Sequence, residues 1–178
     1  TGALYRAVGL AVLDAGGDPG DEAAAVAAAK ALDLGAIDED RIRSSQAGLA
    51  ASKVAAIPAV RLVLRDAQRA FAADPAGAVL DGRDIGTVIC PDADVKLFVT
   101  ASLEARTARR LKELQARGET ISFEALKAQI AERDERDTTR AESPLRQAAD
   151  AVLLDTTEVD VAAAVEAAVG VVGKARSG

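Results

Sequence analysis

The sequence predicts an α/β fold in which a parallel sheet is flanked by helices, and three observations point there. Short apolar runs at residues 78–80, 95–100 and 151–154 end in polar segments and alternate with stretches of helical periodicity, the pattern of a parallel sheet with crossover helices. The chain is 49% hydrophobic but only 2% aromatic, so its core is aliphatic and built from closely packed helices. At 178 residues it is long enough for one domain with a substantial core and too short for two large ones.

The elements follow in order. Residues 4–13 carry apolar side chains at helical spacing and stop at Gly16-Gly17, so they read as a helix. Asp18-Pro19-Gly20 is turn chemistry. Asp21 and Glu22 then open an Ala-rich helix to Leu32, with acidic groups where a helix N-terminus favours them. The polar stretch 38–46 is a connection, residues 47–55 form a short helical piece, and Pro58 begins a helix to about Ala73. Residues 78–80 read as a buried parallel strand opening into a polar loop, and residues 95–100 as a second strand. Ser102 caps a helix ending at Gly118, and Ser122 caps another running to about Arg140. Residues 151–154 form a third strand, and Thr157 with Asp160 begins the last helix.

Composition removes several classes of function. The chain has one cysteine, Cys90, and no histidine. An internal disulfide, a Cys/His zinc site, a Ser-His-Asp triad and histidine acid-base chemistry are therefore excluded, leaving carboxylates, arginines, lysines and backbone. No residue set reads as a metal site. A net charge of −6 argues against binding of nucleic-acid polymers, and the scarcity of aromatics argues against base-stacking platforms. No apolar run has the length of a membrane span and no signal peptide opens the sequence, so a reducing cytoplasm and a monomer are the expectations.

Three strings carry chemistry. Asp81-Gly82-Arg83-Asp84-Ile85-Gly86-Thr87-Val88 follows a predicted strand, and its glycines and charged groups make a compact donor and acceptor set. Taken alone, it also reads as a polar turn. In Glu132-Arg133-Asp134-Glu135-Arg136-Asp137-Thr138-Thr139-Arg140, helical periodicity puts Arg133, Arg136, Asp137 and Arg140 on one face. Three arginines on one stripe repel unless an anion lies among them, although charge runs of this kind also form salt-bridged solvent faces. Ala50-Ala51-Ser52-Lys53-Val54-Ala55-Ala56-Ile57-Pro58, with Arg61 after it, reads as helix packing or as an accessible hydroxyl beside a guanidinium.

Together these strings, with Thr1-Gly2-Ala3-Leu4-Tyr5-Arg6 and the segment Ala-Asp-Ala-Val-Leu-Leu-Asp-Thr-Thr near the C-terminus, resemble the bacterial cytidylate kinases among the P-loop nucleoside monophosphate kinases. The resemblance runs in order over nearly the whole chain. It implies a single kinase domain, a CMP-binding insert at about residues 16–60, and a lid with flanking helices at about 109–140. It implies transfer of the γ-phosphoryl group of ATP, with Mg²⁺, to CMP or dCMP. By the same resemblance Arg61 and Asp84 read the cytosine, and Ser52, Arg133 and Asp137 contact the sugar. Arg6, beside Tyr5 on the acceptor side, joins Arg83 and Arg140 in holding the CMP phosphate. Arg83, Arg136 and Arg140 are the catalytic cations, and Arg109, Arg110 and Arg136 lie in or near the lid.

The family resemblance also implies a Gly-x-x-x-x-Gly-Lys-[Ser/Thr] loop on a central strand upstream of Thr1, and the 178 residues contain no such motif. A parallel sheet without that strand is expected to expose apolar faces and edges. Two rival readings are a non-catalytic pyrimidine-nucleotide-binding or structural protein, and a kinase of the same fold with another acceptor.

Overall fold

The computed structural model describes residues 1–177, and the chain divides into two compact units, Thr1–Gly82 and Arg83–Gly178.

The first unit is helical. Helices α1 (Gly2–Asp14), α2 (Glu22–Lys30), α3 (Ser45–Val54) and α4 (Pro58–Ala72) are joined by 3₁₀ turns at Leu34–Ala36 and Arg41–Arg43. Their starts are set by local chemistry: the Asp21 carboxylate accepts from the Ala24 amide at 2.8 Å, and the Ser44 hydroxyl accepts from the Ala47 amide at 3.2 Å. Pro58 stands in the first turn of α4, where a missing amide hydrogen costs nothing. Val8, Val12, Ala25, Ala29, Val54, Ile57, Val60 and Leu64 form the core, so most buried side chains are small and the helices approach closely. The expected helices are all present, with ends within a few residues of their predicted positions.

The closest approach is at Gly9 on α1. A Cβ there would lie 2.7 Å from the Ala50 Cβ and 2.9 Å from the Ala50 carbonyl carbon on α3. Ion pairs tie the periphery: Arg41 grips Asp14 bidentately at 2.7 and 3.1 Å, and Lys53 reaches Asp18 at 3.1 Å.

Residues 78–80, expected to be a strand, are extended but have no ladder partner among the described residues, and Val79 is 95% exposed. A strand exists only through hydrogen bonds to a neighbour, and none is supplied here. The preceding Asp74 turn, closed by Gly77 at φ 89°, passes the chain into this segment. The string 81–88 therefore follows an extended connection, not a sheet strand.

The second unit is α/β. Strands β1 (Leu97–Thr100) and β2 (Val152–Asp155) pair in parallel, Leu97 opposite Val152 and Thr100 opposite Asp155. They are joined by α5 (Leu103–Ala116) and α6 (Phe123–Thr139), and α7 (Val161–Ser177) follows β2. Ser102 and Ser122 cap α5 and α6 as predicted, accepting from Ala105 and Ala125 at 3.2 Å, and Gly118 takes φ 77° just beyond α5. Leu114, Thr107 and Leu126 are buried on α5 and α6. Val99, Val152 and Leu153 remain about half exposed or more on the two strands.

A feature absent from the sequence reading is the π-helical turn Ile85–Ile89. The Asp84 carbonyl accepts from the Val88 and Ile89 amides at 2.8 and 3.2 Å, and Cys90 donates to Ile85 at 2.7 Å. A Cβ at Gly86 would lie 3.2 Å from the Lys96 side chain, a tight contact that the lysine stem would have to yield to. The room that glycine creates in this string is taken by the Lys96 stem, whose ammonium bonds Asp150 at 2.7 Å and the Pro91 carbonyl.

Gly9→Ala gains about 1 kcal/mol in helix propensity but forces α1 from the α3 backbone, an overpacking cost of about 1–3 kcal/mol. The packing cost wins where the clash is with backbone, so the variant should melt lower by calorimetry, and Gly9→Val lower still.

Asp14, Glu104 and Asp150 have carboxyl pKa values below the ordinary range, chiefly through hydrogen bonds from Arg41, Lys127 and Lys96 respectively. Asp18 is lowered first by the Gly20 amide and then by Lys53, and Asp155 by the Thr157 hydroxyl. A depressed folded-state pKa contributes stability that is complete above the unfolded-state value, about pH 4 to 4.5, and is lost as pH falls through the folded value. Melting temperature should therefore decline as pH is lowered from about 5 to about 2, less steeply in about 1 M salt.

Candidate functional site

The second unit brings together two of the three sequence strings. Arg83 donates from Nε to Asp137 Oδ2 at 3.0 Å, linking the segment before the π-helical turn to the last turns of α6. Arg140 Nη1 lies 3.5 Å from Asp137 Oδ1 and Arg133 Nε lies 3.9 Å from Oδ2. Helical spacing explains the last two contacts, since positions 133, 137 and 140 share a face. Asp137 is buried, at 9% exposure, so three guanidiniums converge on a carboxylate screened from water. In these contacts three guanidiniums face the one carboxylate of Asp137.

Burial and then the neighbouring Arg83 charge lower the Arg133 pKa, with Asp137 acting in the opposite direction. The guanidinium stays protonated near neutral pH, but it is held where an anion would relieve both penalties. Arg140 also donates from Nε to the Ser143 carbonyl at 2.6 Å, which fixes the chain just past the helix. Arg136 pairs with Glu132 at 2.9 Å, one turn back on α6. Asp84 is buried at the start of the π-helical turn.

The first unit positions the third string and the residues near the chain start. Arg61 is buried on α4, its guanidinium carbon 5.9 Å from the centroid of the Tyr5 ring on α1, a cation–π contact. Its Nη1 donates to the Ala55 carbonyl at 3.5 Å. Ser52 is half-buried on α3. Arg6 donates from Nη1 to the Ile42 carbonyl at 2.7 Å and to the Ser44 carbonyl at 3.4 Å, so part of its fork orders the turn that leads into α3.

The sequence reading gave Arg109 and Arg110 one general location and missed the network that Arg109 builds. Arg109 donates to the carbonyls of Thr156, Thr157 (3.5 Å) and Val159 (3.2 Å) and to the Thr156 hydroxyl (3.2 Å), wrapping the turn after β2. Thr156 passes its hydroxyl hydrogen to Thr100 at the end of β1, and Thr157 accepts from the Ser102 amide. Arg110 pairs with Glu113 at 3.0 Å. The Thr156-Thr157 pair after an apolar run and Asp155 was the available signal, since hydroxyls at a strand end are placed to bridge to the neighbouring strand.

No group of three or more His, Cys, Asp or Glu side chains among the described residues is placed to hold a metal ion.

A parallel sheet with connecting helices, and a buried carboxylate ringed by arginines, define the α/β unit. A family model described as cytidylate kinase matches residues 1–174. A cytidylate kinase of Xanthobacter autotrophicus is 56% identical over 178 residues, which are the whole of this chain and 85% of that protein. One of Azorhizobium caulinodans is 57% identical over 99% of this chain and 85% of its own length, and one of Methylocella silvestris 56% identical over 98% and 81%. The chain belongs to the cytidylate kinase family, and so to a family of phosphotransferases.

Asp137→Ala removes the one carboxylate holding three guanidiniums together. The loss should be about 1–3 kcal/mol, below that for a wholly buried pair because Arg83 and Arg133 are partly solvated. Inorganic phosphate should raise the melting temperature of the variant more than that of the parent, as read by differential scanning fluorimetry.

Proposed function

We propose that the protein transfers the γ-phosphoryl group of ATP to CMP or dCMP, giving ADP and the cytidine diphosphate. The observation that carries this reading is the Arg83-Arg133-Arg140 cluster around Asp137, a cationic group suited to the phosphate of a nucleoside monophosphate.

The chemistry asks little of the protein beyond placement and charge. An acceptor phosphate oxygen attacks the γ-phosphorus in line, and negative charge spreads over the transferring group as the bond to the β-phosphate oxygen lengthens. Arg83 and Arg140 hold the acceptor phosphate, neutralising it so that it approaches a second anion. Arg136, on the same α6 face and 42% exposed at its side chain, swings from Glu132 to the transferring group. Asp137 keeps the arginines apart and ordered, and its remaining lone pairs accept from a ribose hydroxyl, as Arg133 and Ser52 also contact the sugar. Arg6 joins Arg83 and Arg140 in holding the phosphate, with Tyr5 supporting the guanidinium of Arg61. Mg²⁺ arriving with ATP offsets charge on the β- and γ-phosphates.

Base selection follows from donor and acceptor polarity. Cytosine offers an amino donor at position 4 and acceptors at N3 and O2, which suit a carboxylate and an arginine fork. Asp84 takes the amino group and Arg61 the acceptors. Uracil would set its O4 acceptor against the Asp84 carboxylate. The reading also makes the protein a cytoplasmic monomer acting on free nucleotides. It rests there on the net charge of −6 and the single cysteine, and no described helix is long and apolar enough to cross a membrane.

Coupled ADP release with CMP, dCMP, UMP and AMP as acceptors tests the function, with turnover on CMP and dCMP expected to exceed the others. Asp84→Asn should erode the preference for CMP over UMP, because a carboxamide presents either a donor or an acceptor. The ratio of kcat/KM values reads this directly, and an unchanged ratio in an active variant removes Asp84 from base reading.

A further inference from the structure

Arg106 lies outside every motif singled out above, yet its guanidinium spans two elements of the second unit. Its Nε donates to the Ala101 carbonyl at 3.0 Å, just past the end of β1, and its Nη1 lies 2.6 Å from Asp134 Oδ2 on α6. Asp134 immediately follows Arg133 and is one turn before Asp137. Beside this bridge, Lys127 on α6 meets Glu104 on α5 at 2.7 Å.

Leu114 on α5 and Leu126 on α6 are buried and the two helices lie side by side, but apolar burial resists sliding along the helix axes poorly, because it has no direction. A planar guanidinium fork bonded on two sides does have direction. Arg106 sets the register of α6 against the carboxyl end of β1, and that register decides where Arg133, Asp137 and Arg140 stand when Arg83 meets Asp137. A slip of one helical turn, about 5.4 Å, would break the Arg83–Asp137 bond.

We propose that Arg106 is a positioning residue for the acceptor phosphate: acting through Asp134, it mounts the arginine cluster of α6 on the end of the sheet without touching substrate itself. The inference rests on the proposed phosphorylation of CMP.

The test compares the full-length protein with its Arg106→Gln, Asp134→Asn and Arg106→Lys variants and the double variant, by steady-state kinetics against CMP and ATP separately and by calorimetric binding of CMP. Arg106→Gln and Asp134→Asn should each raise KM for CMP and weaken CMP binding about tenfold, with KM for ATP within about twofold of the parent. The double variant should lose no more than either single one, because both remove the same link. Arg106→Lys should recover part of the loss by restoring the charge without the fork. If Arg106→Gln fails to fold, Asp134→Asn, which keeps shape and removes only charge, carries the same expectation. Unchanged CMP binding in a folded variant, or equal rises in both KM values, overturns the inference while the parent's activity on CMP leaves the function standing. A parent that neither binds nor phosphorylates CMP overturns both.

Discussion

Everything at the site depends on one carboxylate. Arginines at positions 83, 133 and 140 could not be held within a few ångströms of a common point in a half-dry environment without a compensating charge, and Asp137 supplies it. The balance is incomplete by design of the sequence, with one acid against three bases. A cluster neutralised in full would be a structural salt bridge with nothing left to offer a ligand. A cluster without Asp137 would be driven apart by its own repulsion. The intermediate stoichiometry keeps the cations together around Asp137.

The helices were legible in the sequence because their signals are local. Ser102, Ser122 and Asp21 act on amides three residues away, Pro58 acts on its own φ, and Gly118 on its own backbone, so no tertiary knowledge is needed to read them. The spacing of 133, 137 and 140 was legible for the same reason. Residues 78–80 show where this stops. Their apolar character is that of a buried strand, but a strand is a relation between two segments, and composition does not say whether a partner lies alongside. The π-helical turn was hidden because its backbone bonds to the Asp84 and Ile85 carbonyls have no side-chain signature in the sequence. The Arg83–Asp137 bond crosses fifty-four positions and only chemical complementarity hinted at it.

The ends of the two strands show a second use of arginine. Arg109 spends its donors on backbone carbonyls of the turn after β2, while Thr156 and Thr157 tie that turn to Thr100 and Ser102. With only two strands in the ladder, backbone pairing alone gives this edge little rigidity. Side-chain bonds to the turn stiffen it where a longer sheet would use more strands. Arginine thus ties backbone carbonyls at the strand ends in Arg106 and Arg109, and gathers on a single carboxylate in Arg83, Arg133 and Arg140.

The scarcity of aromatic residues, read at first as a statement about packing, also determines how the molecule can be watched. The chain has no tryptophan and a single tyrosine, Tyr5, whose ring lies beneath the Arg61 guanidinium. Its intrinsic ultraviolet fluorescence therefore originates almost wholly from one ring, and a cation at 5.9 Å from that ring alters its electronic surroundings whenever Arg61 moves. The protein carries its own optical probe, uncontaminated by other fluorophores, at the residue assigned to reading the base.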